Sequence, residues 1–269
     1  MKAKPENFKL YGNKPYRVAV IHGGPGAPGE MAPVARELSN MSGIIEPLQT
    51  AMSIGEQVEE LQTVLKESTA FPVILIGHSW GAWLSYIFAA EYPSFVSKLI
   101  LVSSGPFEEK YAAGIMETRL NRLSNEEKAE VMSLMKTLND TKAPDKNTAL
   151  ARFGRLISKA DSYDPLPPGN EVIWCQYDIY EKVWLAAAEL RRSGKLLEYG
   201  SKIKCPVVAI HGDYDPHPPE GVKEPLSGVL TDFKFILLEH CGHLPWNERA
   251  ARDKFYSILK KEISNMEIK

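Results

Sequence analysis

Residues able to do chemistry together fall in four short stretches: His22-Gly-Gly-Pro-Gly26, Gly77-His-Ser-Trp-Gly81, His211-Gly-Asp-Tyr-Asp215 and Glu239-His-Cys-Gly-His243. The second fits G-x-S-x-G and lies between an apolar run and a helical one. A sharp strand-to-helix turn forces such a serine into a strained backbone conformation, and side chains two residues to either side would collide. The turn lifts the Ser79 hydroxyl off a sheet and places it near a helix amino terminus, where developing negative charge is favoured. Alone, the pentapeptide is weak evidence, and an ordinary N-cap serine is the bland reading.

A serine hydroxyl is a poor nucleophile at neutral pH without an adjacent base. His240 and His243 both follow a later strand-like run, and His243 lies beyond a glycine, in a loop able to reach across the top of a sheet. The acid that orients such a base should follow the preceding strand, where Asp213 and Asp215 are both available. The chain order serine, aspartate, histidine is the one expected when three such groups stand at the carboxyl ends of parallel strands. Acyl transfer also needs two donors aimed at the forming oxyanion. The backbone amide of Trp80, directly after the serine, is one candidate. The glycine-rich loop 22–26 supplies the other, because glycine lets backbone approach a substrate closely.

These groups need a scaffold that brings distant segments together. Arg17–His22, Gly43–Leu48, Phe71–Gly77 and Leu99–Val102 read as strands, the first, third and fourth strongly apolar. Helical spacing covers Pro28–Leu38, the stretch after the Ser53-Ile-Gly-Glu56 capping box, and Trp80–Glu91. Alternation of apolar strands with helices predicts an α/β fold with a mostly parallel, doubly wound sheet covered on both faces. From about Phe107 to Ser201 no β-branched run appears. A second capping box at Ser124–Glu127 and a helical stretch over Ile179–Arg192 replace it, separated by a loop at Asp164–Gly169. Strands return at Pro206–Ile210 and Phe233–Leu238, before a closing amphipathic helix over Arg249–Ile263. The expected organisation is a core domain of residues 1–105 and 202–269, interrupted by a helical cap insertion at 106–201.

Composition narrows the partners. The 269 residues are 44% hydrophobic and 25% charged, with a formal net charge of −2, so there is no broad basic field for nucleic acid. No apolar run approaches the ~20 residues of a membrane span. The charged amino terminus and three widely spaced cysteines (Cys175, Cys205 and Cys241) lead to the expectation of a cytoplasmic protein without a disulfide framework. A small-molecule substrate is the expected partner, no cofactor is called for, and a monomer is compatible with these numbers. His211, His217 and His240 near two aspartates match no zinc spacing. His78 and His211 read as structural, His22 as bracing its own loop, His217 as a surface residue among prolines, and Arg191–Lys195 as a solvated helix end.

Taken together, His22-Gly-Gly-Pro-Gly26, Gly77-His-Ser-Trp-Gly81, Gly212-Asp-Tyr-Asp215 and Gly242-His-Leu-Pro-Trp246 resemble the α/β-hydrolase superfamily, and more narrowly its proline iminopeptidase branch. The resemblance covers about residues 16–105 and 203–265. It implies a catalytic triad of Ser79, Asp215 and His243, with Gly24 as the second oxyanion donor beside Trp80. It also implies a sheet whose first strands are reduced here to Phe8-Lys-Leu10, and cap acids that hold a substrate amino group, for which Asp178 and Glu181 are candidates by position. The expected activity is a serine hydrolase acting on small ester, amide or aminoacyl substrates. An iminopeptidase-type aminopeptidase and a non-catalytic ligand-binding member of the fold are the alternatives. Fold relatives with an aspartate nucleophile do not fit, because position 79 is serine.

Overall fold

A computed structural model describes residues 7–167 and 175–264. In chain order the elements are β1 (Phe8–Tyr11), β2 (Tyr16–Ile21), α1 (Ala32–Leu38), β3 (Gly43–Pro47), α2 (Ile54–Ser68), β4 (Val73–His78), α3 (Trp80–Glu91) and β5 (Val96–Val102). Helices α4 (Ile115–Asn121), α5 (Asn125–Asn139), α6 (Lys146–Asp161), α7 (Tyr177–Arg192) and α8 (Lys195–Glu198) follow. The chain closes with β6 (Val207–Gly212), α9 (Glu220–Val229), β7 (Phe233–Leu238) and α10 (Arg252–Ser264). The end of the expected loop at 164–169 and the start of the Trp174–Arg192 region lie outside the described residues.

Among the described residues the strands form one seven-stranded sheet in the order β1-β3-β2-β4-β5-β6-β7. Every pairing is parallel except β1 with β3. The central strands are apolar on both faces because both faces are covered. Ala19, Ile21, Leu75, Leu99, Leu101, Val207 and Ala209 point into one core, which takes in residues of α2, α3 and α7. Val18, Val20, Ile74, Ile76, Ile100, Val102, Val208 and Ile210 point into the other, shared with α1 and α10. That alternation along each strand is the period of two that a pleated backbone imposes.

Local signals account for most of the helix boundaries. The Ser53 side chain accepts the Glu56 amide at 3.3 Å, and Ser124 with Glu127 makes a complete capping box. Helix α1 starts four residues later than its apolar spacing predicts. Gly29 takes φ 94° and Pro33 occupies the first turn, so residues 28–31 turn and the helix follows. The Arg191 end of α7 also differs from the solvated reading: its guanidinium lies over Trp83 and pairs with Glu109 at 2.7 Å. An apolar ring plus a carboxylate gives the side chain more than water at a helix end would.

Chain direction around the sheet reverses between β2 and β4: β2 leads outward to β3, whereas β4 leads to β5 on the opposite side. A crevice opens outside the carboxyl ends of strands at such a switch point. The loops after β2, β4, β6 and β7 carry His22–Gly26, Ser79, Asp215 and His243. No helix among the described residues is long and apolar enough to cross a membrane. Leu99, fully buried in β5, is expected to cost about 2–5 kcal/mol of stability as Leu99→Ala, read as a lower urea midpoint at unchanged slope.

Candidate active site

The chain passes from β4 into α3 within one residue. Ser79 sits between them at φ 52° and ψ −114°, a conformation that costs a non-glycine residue about 1–3 kcal/mol and persists only when its surroundings dictate it. Those surroundings are tight: a Cβ on Gly77 would strike the Gly81 carbonyl, and one on Gly81 would strike the carbonyls of Ile21 and His22. The Ser79 side chain makes no capping hydrogen bond to α3, which removes the N-cap reading.

Asp215 and His243 come together above the sheet, with His243 Nδ1 2.7 Å from Asp215 Oδ2. The alternatives are placed elsewhere. Asp213 is exposed and accepts the Cys241 amide at 3.1 Å, bracing the loop that carries His243. His240 is exposed and packs its ring against Tyr163. Burial works against charge on Asp215, but the surrounding His243, His217 and His211 outweigh it and hold the carboxyl well below its usual range. Burial likewise works against the protonated form of His243, yet Asp215 prevails and raises its pKa above the ordinary histidine value. No hydrogen bond joins Ser79 Oγ to His243; in sites of this kind that contact often tightens only with substrate bound.

His217 is not the surface residue its proline neighbours suggest. It is 7% exposed, its Nδ1 lies 2.7 Å from Asp215 Oδ1, and its amide donates to the same oxygen at 3.0 Å. Burial brings its pKa down to about 4, against the pull of Asp215. The legible signal was Asp215-Pro-His217, since an aspartate accepting the amide two residues on is a common turn.

Glu30 gave no such signal. Its Oε2 accepts the Gly23 amide at 2.8 Å and meets His78 Nδ1 at 2.9 Å, while His78 Nε2 donates to the His243 carbonyl at 3.0 Å. One chain of polar contacts therefore joins the loop after β2, the turn holding Ser79 and the loop holding His243. Burial would raise the Glu30 pKa, but His78 and two further histidines lower it to about 2. His78 is structural as expected, and His22 Nδ1 donates to the Gly23 carbonyl at 2.7 Å within its own loop.

A second brace ties α6 to the loop that carries His243. The Asp161 carbonyl accepts the His243 amide at 2.9 Å, and its carboxylate is gripped by Arg119 at 2.7 and 2.8 Å. Buried Glu248 accepts the amides of Tyr163, Asp164 and Gly242 at 2.8, 2.8 and 3.0 Å. On the opposite side, the Gly26 carbonyl accepts the Gln176 amide at 2.8 Å, which sets α7 beside the glycine loop. Trp184 of α7 lies parallel to Tyr180 and to Trp83 of α3, with centroids 6.5 and 6.2 Å away. Asp178 is exposed, and Glu181 accepts the Tyr177 hydroxyl at 2.7 Å.

This sheet and this arrangement of loops define the class. The chain belongs to the alpha/beta hydrolase fold family, whose sequence model matches residues 25–249. It is 24% identical to a proline iminopeptidase of Saccharolobus solfataricus over 283 residues, covering 96% of this chain and 89% of that protein. Among solved structures it resembles the proline iminopeptidase of Mycobacterium smegmatis, with a TM-score of 0.63 and 18% identity over 96% of this chain and 94% of that one. A carboxylesterase of the thaumarchaeon Nitrososphaera gargenis is similar at a TM-score of 0.60 and 18% identity, covering 97% of this chain and 96% of that one.

If the Glu30 chain sets the relative positions of the three loops, Glu30→Ala should lower kcat by about a hundredfold with a smaller change in KM, since a displacement near 1 Å suffices for that loss. Glu30→Gln, which keeps an acceptor for the Gly23 amide, should recover part of it. Initial-rate kinetics on folded variants read both.

Proposed function

We propose that this hydrolase cleaves small ester, amide or aminoacyl substrates through an acyl-enzyme on Ser79, with His243 as base and Asp215 as its orienting acid. The observation that carries the reading is a serine held at positive φ over the sheet, beside a histidine whose Nδ1 is fixed 2.7 Å from a buried carboxylate. Asp215 keeps the proton of His243 on Nδ1, so Nε2 presents a lone pair to the serine proton. Ser79 Oγ attacks the substrate carbonyl as His243 takes that proton. The resulting oxyanion meets the amides of Trp80 and Gly24. Gly23 cannot serve, since its amide already donates to Glu30, and Gly24 turns at φ 41°, where glycine is at ease.

Collapse of the intermediate expels the leaving group, which takes the proton back from His243. Water then attacks the acyl-enzyme through the same two steps in reverse roles, with His243 as base again. The segment from α4 to α8 acts as the cap, and its half-buried Tyr180 and Trp184, on the helix set beside the glycine loop, offer rings suited to an apolar or ring-bearing acyl group.

An iminopeptidase-type aminopeptidase is the second reading, favoured by the names of the relatives and by the His22–Gly26 and Gly77–Gly81 loops. That activity needs a carboxylate for the substrate's ammonium group. Among the described residues, Asp161 is engaged by Arg119 and Glu30 by His78, Glu181 accepts the neutral Tyr177 hydroxyl, and Asp178 is exposed. The two ion pairs take Asp161 and Glu30 out of that role and leave Glu181 and Asp178 as the carboxylates it would require.

A panel of p-nitrophenyl esters of increasing chain length and amino-acid p-nitroanilides, proline included, separates the two. Ser79→Ala is expected to abolish turnover of whichever series reacts. Turnover of the anilides alone would replace the ester reading, and turnover indifferent to Ser79→Ala would end both. Asp215→Asn should lower kcat by a factor on the order of 10⁴, as loss of the orienting acid does elsewhere.

The pH dependence has a fixed sign. His243 must be unprotonated to accept the serine proton, and Asp215 raises its pKa. The rate should therefore fall as pH drops through a midpoint above ~6.5, the ordinary histidine value. A rate that is flat from about pH 5 to 8 would exclude His243 as the base.

A further inference from the structure

Asp215 carries two imidazoles, although one is enough to prepare a serine. His243 Nδ1 lies 2.7 Å from Oδ2, and His217 Nδ1 lies 2.7 Å from Oδ1. The second ring is held as firmly as the first. Pro216 and Pro218 bracket it, its amide closes on Oδ1 at 3.0 Å, and its carbonyl accepts from His211 Nε2 at 2.8 Å. The two ring centroids are 4.7 Å apart, with planes tilted by 35°. Because both spend Nδ1 on the same carboxylate, both turn Nε2 away from it. Neither Nε2 has a protein hydrogen-bond partner among the described residues, and neither is a sealed, unpartnered atom.

A histidine whose far nitrogen donates to a carboxylate is how proteins prepare an imidazole to ligate a metal, since the carboxylate fixes the tautomer and raises the basicity of the free nitrogen. Here one carboxylate does this for two rings. One ligand atom from each of Asp215, His217 and His243 lies within 4.8 Å of the others. Two imidazole nitrogens around a tetrahedral ion with bonds of ~2.0–2.1 Å stand about 3.3 Å apart. If the second ring served only to hold Asp215, any short side-chain donor would do.

We propose that His217 and His243 form a binding site for a divalent transition-metal cation of the zinc type, and that the bound ion inhibits the hydrolase by occupying the Nε2 lone pair of His243. Imidazole nitrogens favour zinc, copper or nickel over magnesium or calcium, which take oxygen ligands. The ion displaces whatever proton Nε2 carries to solvent and forms no covalent adduct with substrate. The binding half of the proposal needs only the two rings. The inhibitory half rests on His243 being the base.

The test is a calorimetric titration of zinc chloride into the metal-free full chain, with His217→Asn and His243→Asn alongside. Asparagine places an amide donor where Nδ1 sits, so the contact to Asp215 is kept while Nε2 is removed. Wild-type protein should bind one ion, and each variant should bind it about tenfold or more weakly. X-ray absorption at the zinc edge of the wild-type complex should show two imidazole nitrogens at ~2.0–2.1 Å, which decides the matter even if a variant fails to fold. Equal affinity in His217→Asn, or a shell with a single imidazole, overturns the site. Turnover and fluorophosphonate labelling of Ser79 should fall with zinc occupancy. Full occupancy with undiminished turnover would overturn the inhibition, whereas zinc bound by both rings of a chain with no Ser79-dependent turnover would sustain the site and remove the proposed function.

Discussion

The passage from β4 to α3 in a single residue is the constraint on which the rest of the site depends. Ser79 holds a left-handed backbone because Gly77, Gly81 and the carbonyls at the end of β2 leave no other path. That close approach fixes how near the glycine loop after β2 stands to the serine, and so where an oxyanion between them would lie. The strain is small against the two cores that enforce it. Between them they bury β4 completely, and α3 is apolar on nearly every face.

Around that turn the charges are arranged in pairs and chains. Asp215 stays ionised in a buried setting because imidazoles surround it, and Glu30 does so because His78 lies against it. Each carboxylate also binds backbone: Asp215 the His217 amide, Glu30 the Gly23 amide, and Glu248 three amides at once. Such carboxylate-to-amide bonds are stronger than neutral ones and cost more to leave unmade. They convert three loops, which would otherwise move separately, into one frame.

Much of this fold was legible because parallel strands covered on both faces read as unbroken apolar runs, as in Val73–Ile76 and Leu99–Val102. β1 was fainter, since its residues are only half-buried or exposed at the antiparallel edge. The glycines of the turn and of the base loop were legible too, because a missing side chain leaves a spacing pattern. Glu30, Asp161 and Glu248 left none: they act on backbone amides or ion-pair partners far away in sequence, and no periodicity records such a bond. His217 was misread because proline neighbours suggest exposure, whereas here they fold a tight turn back onto Asp215. Of the two cap acids suggested by resemblance, one is spent on a tyrosine and the other faces solvent.

The two ends of the helical segment are joined to the core in different ways, and this divides the molecule for anyone wishing to change what it acts on. At the α6 end, Asp161 and Glu248 lock into the same loop that carries His243, so a graft there would disturb that loop as well. At the α7 end a backbone bond runs from Gln176 to Gly26, Ile179, Val183 and Ala187 enter the core beside α3, and among the described residues no charged side chain of that helix reaches the loop that carries His243. If the proposed function holds, exchanges of the Tyr180 ring along α7 would alter what the cleft accepts while leaving the loops that carry Ser79, Asp215 and His243 in place.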